Sequence, residues 1–325
     1  MLAAAPLLRV ENLTAQFAPR VGLPRGCVQG VRFTVEAGGT LGIVGEAGAG
    51  KSLLALALSG GGARADGLLV AGRVLLDGRP AQDCALDRRR IRTVFQKPLR
   101  GFVADATVGQ QMIAALHTGA WPSRAAARKC FSRALDALRT PGTPSAPNWL
   151  DCYPYQLPRD LCRRAALAMA LCAQPDVLIA DEPGAALDAP MLDWLREHQT
   201  RRAMSLILLT RDAHQAAKMC DEVAVLCAGR IVEQARAALL FGRPTHPYTA
   251  AWLDSARRPS LDVLQEPPTA AGSGCVFAKH CALQMPVCTA ERPLLMRSPP
   301  TQCLRACHAS PDAVRRRQAA LLALR

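Results

Sequence analysis

The chain has 325 residues, half of them apolar and 20% charged, an ordinary globular composition that excludes wholesale disorder. Its formal net charge of +14 suits an acidic partner such as nucleotide phosphates, nucleic acid or an anionic membrane surface, without choosing among them. No stretch approaches the roughly 20 uninterrupted apolar residues of a membrane span. The N-terminus also lacks the pattern of a signal peptide, so we expect a chain that stays in the cytosol.

Short strands and helices alternate along the first 240 residues. The predicted strands are residues 7–10, 31–35, 41–44, 177–180, 205–210 and 222–227. The predicted helices are residues 51–58, 161–173, 190–200 and 212–219, with helical spacing through 105–140. This alternation predicts an α/β fold with a parallel sheet covered by helices. After about residue 240 the sequence becomes rich in Pro and Cys, which places a domain boundary near 240–265.

A glycine-rich segment lies between the third predicted strand and the first predicted helix: Gly45, Glu46, Ala47, Gly48, Ala49, Gly50, Lys51 and Ser52. It fits the pattern G-x-x-x-x-G-K-[ST] in the strand–loop–helix context that this motif requires. Its glycines let backbone N–H groups surround a phosphate, and the following helix adds its positive end. Lys51 would reach the β- and γ-phosphates and Ser52 would ligate Mg²⁺. The alternative is a glycine-rich turn that binds no ligand.

Two adjacent carboxylates, Asp181 and Glu182, follow the apolar strand Val177-Leu178-Ile179-Ala180. Ligands of an open α/β sheet bind at this carboxyl end of the strands. Asp181 would hold Mg²⁺ through water, and Glu182 would act as the general base that polarises the attacking water. The alternative is a pair of side chains that only cap the next turn.

With these motifs the sequence resembles an ABC-transporter ATPase, specifically the ATP-binding subunits of dipeptide, oligopeptide and nickel importers. Val94-Phe95-Gln96-Lys97-Pro98 resembles the Q-loop of that family, and Ala186-Leu187-Asp188 resembles its D-loop. His246-Pro247-Tyr248-Thr249 resembles the motif that opens the C-terminal extension of peptide importers. The resemblance implies a P-loop NTPase (ABC ATPase) domain at 1–245, with a helical subdomain at about 97–170. A small Cys-rich extension is implied at 246–325.

The resemblance also implies cofactors and partners. ATP and Mg²⁺ would bind, with Gln96 contacting Mg²⁺ and sensing the membrane subunit, and Phe17 stacking on adenine unless it is a core residue. In this family two ATPase chains sandwich two ATP molecules and drive two membrane permease subunits. An extracytoplasmic substrate-binding protein delivers the substrate. The chain would then lie at the cytoplasmic face of the inner membrane.

Two segments depart from the family pattern. Where the family has a Leu-Ser-Gly-Gly-Gln signature, this chain has Leu157, Pro158, Arg159, Asp160 and Leu161. Pro158 lacks a backbone N–H, and the two charged side chains add bulk where a phosphate must approach closely. Arg211 replaces the switch histidine, and a guanidinium cannot share a proton as an imidazole does.

These departures predict intact ATP binding and impaired turnover. We therefore expect this chain to form a heterodimer with a second ATPase chain and to be the structural or regulatory half of it. A non-catalytic ATP-binding interaction protein is the alternative. A nucleic-acid-associated ATPase is a third hypothesis, which the dispersed basic residues and the aromatic content of 4% disfavour.

Five of the thirteen cysteines fall between residues 275 and 307. Four thiolates in a Pro-rich segment suit zinc or an iron–sulfur cluster. By resemblance to the importer family we expect an iron–sulfur cluster, with zinc or simply buried thiols as alternatives. The expected ligands are Cys275, Cys281, Cys288 and Cys307, with Cys303 competing for the fourth place.

Overall fold

The computed structural model describes residues 6–18, 27–60, 67–81, 90–119, 121–138, 150–184, 187–257, 273–299 and 303–323. Its strands are β1 Leu8–Phe17, β2 Cys27–Val35, β3 Thr40–Val44, β4 Leu68–Leu76, β5 Arg79–Pro80, β6 Ile91–Val94, β7 Val177–Asp181, β8 Ser205–Thr210, β9 Glu222–Cys227, β10 Arg230–Arg236, β11 Met296–Ser298 and β12 Cys303–Arg305. Its α-helices are α1 Lys51–Leu58, α2 Val108–Thr118, α3 Arg124–Leu138, α4 Arg159–Cys172, α5 Ala189–Arg202, α6 Ala213–Met219, α7 Ala237–Gly242, α8 Pro247–Arg257, α9 Pro286–Ala290 and α10 Pro311–Ala323.

The chain divides into two compact units. The first contains Met1–Leu8, Val35–Gly39 and Leu75–Ile207, and the second contains Arg9–Thr34, Thr40–Val74 and Leu208–Arg325. The glycine-rich loop therefore belongs to the second unit, and the Asp181-Glu182 pair belongs to the first.

In the first unit, β6 and β7 run parallel, with Ile91 opposite Val177 and Val94 opposite Ala180. All five residues of β7 are buried, as its unbroken apolar sequence predicts for a strand covered on both faces. The region of helical spacing at 105–140 forms two helices, α2 and α3. Thr107 caps α2 through a capping box with Gln110, and α4 packs against both helices.

The second unit contains one sheet region in the order β2-β1-β4 and another in the order β11-β12-β10-β9-β3. Parallel pairing joins β3 to β9, with Val44 opposite Val225. The pairs β9–β10, β10–β12 and β11–β12 are antiparallel. The predicted parallel pairing is thus confirmed for β3 and β9. Strands β10, β11 and β12 were not predicted from the sequence, and they pair antiparallel because a short turn reverses the chain after Cys227.

The segment after residue 240 has more regular secondary structure than its Pro- and Cys-rich composition indicates. It forms α8 and α10, and its two short strands extend the sheet alongside β10. Among the described helices, none combines the length and the apolar character needed to cross a bilayer.

Candidate nucleotide-binding site

The glycine-rich loop leaves the sheet at the end of β3, a strand whose five residues are all buried. Gly45 has φ 156°, and a side chain there would collide with the carbonyl oxygen of Leu226. Gly50 has φ 106° and takes the N-cap position of α1 without any side-chain cap. No side chain caps this helix, and the N–H groups at a helix N-terminus are suited to binding a phosphate.

Lys51 is buried, with 6% of its surface exposed. Its Nζ donates hydrogen bonds to the carbonyl oxygens of Gly45 at 2.8 Å and of Glu46 at 2.9 Å. The ammonium group therefore lies over the beginning of the loop, while the neighbouring Ser52 is exposed. This donor set, a buried cation with a hydroxyl beside it at a helix N-terminus, fits a triphosphate and its Mg²⁺.

Two distant parts of the chain support the loop. The Gly229 N–H donates to the carbonyl oxygen of Ala49 at 2.8 Å. The Glu46 N–H donates to the hydroxyl oxygen of Tyr248 at 3.3 Å. Tyr248 is 1% exposed, and burial raises the pKa of its hydroxyl. Tyr248 belongs to the sequence motif His246-Pro247-Tyr248-Thr249, whose contact with the loop was not predicted.

A buried carboxylate fixes the segment that carries Tyr248. Glu233 is fully buried and accepts hydrogen bonds from the Thr245 N–H and hydroxyl, both at 2.7 Å, and from the His246 N–H at 3.1 Å. Burial raises the pKa of Glu233, although these hydrogen bonds oppose the shift. His246 Nδ1 accepts from the Tyr248 N–H at 3.0 Å, and burial lowers the pKa of His246 to about 3. The histidine is therefore neutral.

The predicted magnesium and base residues belong to the first unit. Asp181 is the last residue of β7 and is 2% exposed. Glu182 follows with φ 47°, a left-handed conformation that is unusual for a residue other than Gly. Such backbone strain occurs preferentially at functional sites. Gln96 is exposed after β6, and its carbonyl oxygen accepts from the Arg163 guanidinium at 3.5 Å. Their roles around one nucleotide remain predictions.

The degenerate signature begins α4. Pro158 is the N-cap residue and makes no side-chain capping bond, so the hydroxyl cap that a serine supplies is missing. Arg159 and Asp160 are exposed in the first turn, and the Asp160 carboxylate lies 3.7 Å from the Arg163 guanidinium.

The other predicted residues lie as follows. Arg211 is exposed immediately after β8, at the predicted switch position. Asp188 of the D-loop caps α5 by accepting from the Met191 N–H and pairs with Arg164, whereas Ala186 lies outside the described residues. Phe17 ends β1 and is 47% exposed, so its ring is accessible for stacking and is not a core residue.

The C-terminal cysteines do not form the expected metal site in the described structure. The thiols of Cys275, Cys281, Cys288 and Cys307 interact electrostatically, and Cys303 is buried on β12. Within the described ranges, however, no three Cys, His, Asp or Glu side chains are arranged to hold a metal ion. Burial raises the pKa of Cys275 and Cys281, and that of Cys307 to about 11, which favours the protonated thiol. Because the described residues form no such group, the iron–sulfur prediction is not supported.

Two family models match the chain. Residues 28–185 match the ABC transporter family, and residues 232–288 match the oligopeptide/dipeptide transporter C-terminal region. The chain is 35% identical over 313 residues to a probable peptide ABC transporter ATP-binding protein, y4tR, of Sinorhizobium fredii, covering 90% of this chain and 92% of the relative. The chain belongs to the family of ABC transporter ATP-binding proteins.

Other members of the ABC transporter family are similar over comparable lengths. The dipeptide transport ATP-binding protein DppD of Escherichia coli K12 is 32% identical, covering 89% of this chain and 92% of the relative. The oligopeptide transport ATP-binding protein OppD of Salmonella typhimurium is 34% identical, covering 93% of both chains.

Solved structures agree on the fold. An ATP-binding subunit of an ABC transporter superposes with a TM-score of 0.57 at 20% identity, covering 71% of this chain and 90% of that one. The cbiO1 subunit from Clostridium perfringens superposes with a TM-score of 0.52 at 25% identity, covering 78% of this chain and 96% of that one. The fold is the P-loop NTPase fold of ABC ATPase cassettes, as the sequence predicted.

Proposed function

We propose that this chain is the ATP-binding subunit of an ABC importer for peptides, with nickel as the alternative substrate. The observation that carries the proposal is the phosphate loop, in which the Lys51 ammonium bonds the carbonyl oxygens of Gly45 and Glu46. The match of residues 232–288 to the peptide-transporter C-terminal region, together with peptide-transport relatives of similar length, supports peptides as the substrate.

Each part of the site has a role in this proposal. Bound MgATP supplies the phosphoanhydride bond whose cleavage drives transport. The backbone N–H groups of residues 45–50 and the Lys51 ammonium neutralise its phosphates. The proposed magnesium ligands are Ser52, Gln96 and Asp181. Glu182 orients and deprotonates water, and the exposed Phe17 ring stacks on the base.

Turnover in this chain is proposed to be slow. Pro158 offers neither a backbone donor nor a hydroxyl to the γ-phosphate of a partner's nucleotide. Arg211 stands where a histidine would share a proton, so this chain's own site lacks one catalytic group. Both composite sites of a homodimer would carry both defects. We therefore propose a heterodimer with a second ABC ATPase subunit that has an intact signature.

The remaining partners follow from the importer assignment. They are two membrane permease subunits and an extracytoplasmic substrate-binding protein, with this chain bound peripherally at the cytoplasmic face of the inner membrane. A non-catalytic ATP-binding interaction protein is the second candidate, and the exposed Asp160 at the start of α4 favours it, because a carboxylate repels phosphate.

Co-purification and ATPase measurements separate the two candidates. The chain would be expressed together with candidate permease subunits and a second ATPase subunit, and the product reconstituted into liposomes. If the chain is an importer subunit, we expect a stable complex whose ATPase rate increases when the substrate-binding protein and a peptide are added. If it is a non-catalytic interaction protein, we expect it to bind ATP but not to co-purify with permeases. A matched complex carrying Glu182→Gln in this chain measures how much of the turnover comes from its own phosphate loop.

A further inference from the structure

Two thiols lie beside each other inside the first unit. Cys130 is in the middle of α3, and Cys172 is the last residue of α4. The two helices pack against each other, and the two Sγ atoms are 3.3 Å apart, within hydrogen-bonding distance. The S–S bond of a disulfide is about 2.05 Å long. The two sulfurs therefore need to approach by only about 1.2 Å to form one.

A cavity gives one of these thiols access to small molecules. It has a volume of about 300 Å³ and is lined by residues of α3 and α5, including Cys130 and the exposed Lys129. A water molecule occupies only about 30 Å³, so hydrogen peroxide fits easily. Cys172 does not line the cavity. Cys130 is 7% exposed and Cys172 is 0% exposed. A small oxidant in the cavity therefore meets Cys130 first.

The surroundings of Cys172 suit the second step of an oxidation. Its hydrogen bond with Cys130 and its burial raise the pKa of its thiol, so Cys172 stays protonated in the reduced protein. A buried thiol of this kind is inert toward an oxidant on its own. Beside an oxidised cysteine it has a different role, because a neighbouring thiol converts a sulfenic acid to a disulfide before further oxidation.

We propose that Cys130 and Cys172 form a redox-sensitive dithiol, which a peroxide oxidises to a disulfide. The Cys130 thiolate attacks one oxygen of hydrogen peroxide; an S–O bond forms, the O–O bond breaks, and the leaving hydroxide is protonated to water. Cys172 then attacks the Cys130 sulfur. The S–S bond forms as the S–O bond breaks, and the departing hydroxide takes the Cys172 proton to give a second water. The two sulfurs lose two electrons, which the peroxide gains.

The disulfide would fasten α3 to the C-terminal end of α4. The N-terminal end of the same helix follows Pro158 and carries the two charged residues that replace the family signature. A cross-link restricts the unfolded chain, so oxidation should raise the melting temperature of the protein. The proposal is independent of the importer function, since it uses no residue of the proposed nucleotide site.

Peptide mapping of the full-length protein tests this proposal. Reduced protein is treated with hydrogen peroxide at about pH 8, where a larger share of thiols is ionised. The remaining thiols are blocked with N-ethylmaleimide, and the protein is digested with trypsin without reductant. Cleavage after Lys and Arg places Cys130 in the peptide 130–133 and Cys172 in the peptide 165–196, each with a single cysteine. The mass of the linked peptides therefore identifies this disulfide alone.

Each variant has a matched control. Cys172→Ser removes the second thiol, and Cys162→Ser is its control, because Cys162 is a buried cysteine of the same helix. Ala126→Phe places a ring in the cavity. Ala125→Phe is its control, because it makes the same change at an exposed neighbour outside the lining. Dimedone, which labels sulfenic acids, detects the intermediate on Cys130.

The expected result is a linked peptide in the oxidised wild type and in Cys162→Ser, which dithiothreitol removes. In Cys172→Ser the link is lost, and dimedone labels Cys130. Ala126→Phe should slow the cross-linking several-fold, and Ala125→Phe should not. Three results would overturn the proposal: no linked peptide in the folded protein, a link that forms only in urea, or equal slowing by the two phenylalanine variants.

Discussion

The hydroxyl of Tyr248 provides a direct test of how the C-terminal segment supports the phosphate loop. Tyr248→Phe removes the oxygen that accepts a hydrogen bond from the Glu46 N–H at 3.3 Å. The ring remains, and so does its edge-on contact with Phe277, where the ring centroids are 5.4 Å apart. The substitution therefore changes one hydrogen bond and leaves the packing in place.

The expected magnitude follows from that single bond. A neutral hydrogen bond contributes a net 0.5–1.5 kcal/mol, roughly. If this energy favours the nucleotide-binding conformation of the loop, its loss raises the Kd for MgATP about two- to tenfold. The measurement is an equilibrium titration of fluorescent ATP, with the melting temperature recorded beside it. Tyr155→Phe is the control, because that side chain is 62% exposed. An unchanged Kd together with a lowered melting temperature would show that Tyr248 only stabilises the fold.

Three further predictions concern individual side chains. His246 has a folded pKa of about 3 against an ordinary 6.5, so between these pH values the unfolded chain binds more protons and the free energy of unfolding decreases as pH falls. In chemical unfolding curves at pH 7, 5.5 and 4.5, His246→Gln should therefore show a smaller dependence of the free energy of unfolding on pH. An unchanged dependence would contradict the low pKa of His246. Arg211→His should raise the ATPase rate of the assembled complex at least several-fold, whereas an equal rate would show that the switch position does not limit turnover. Gly45→Ala should abolish ATP binding, because the added methyl group collides with the Leu226 carbonyl oxygen; normal affinity would refute the loop geometry.

Local features of the site were predictable from sequence. The helix Lys51–Leu58 and the strand Ser205–Thr210 have the predicted bounds, because short apolar runs next to glycine or polar residues specify both element and limits. The start of the helix after Pro158 was predicted less well: it begins at Arg159, two residues before the predicted limit at 161.

The contacts between distant segments were not predictable. Glu46 and Tyr248 are 202 residues apart in the chain, and nothing in the residues around either one specifies the other. The antiparallel pairing of Glu233 with Arg305 likewise depends on how the last segment returns to the sheet. The spacing of the C-terminal cysteines suggested that they are metal ligands. Spacing alone, however, does not determine where these side chains point, because several turns and short strands position them.

MgATP binding by the loop after β3 can be measured by equilibrium titration of labelled ATP in the presence of magnesium. We expect saturable binding by the folded wild-type chain, loss of binding in Lys51→Ala, and wild-type affinity in Lys218→Ala, an exposed lysine of α6. A nucleotide site at this loop would be ruled out if the wild type showed no saturable binding, alone or with its partner subunits, or if Lys51→Ala bound ATP as well as the wild type.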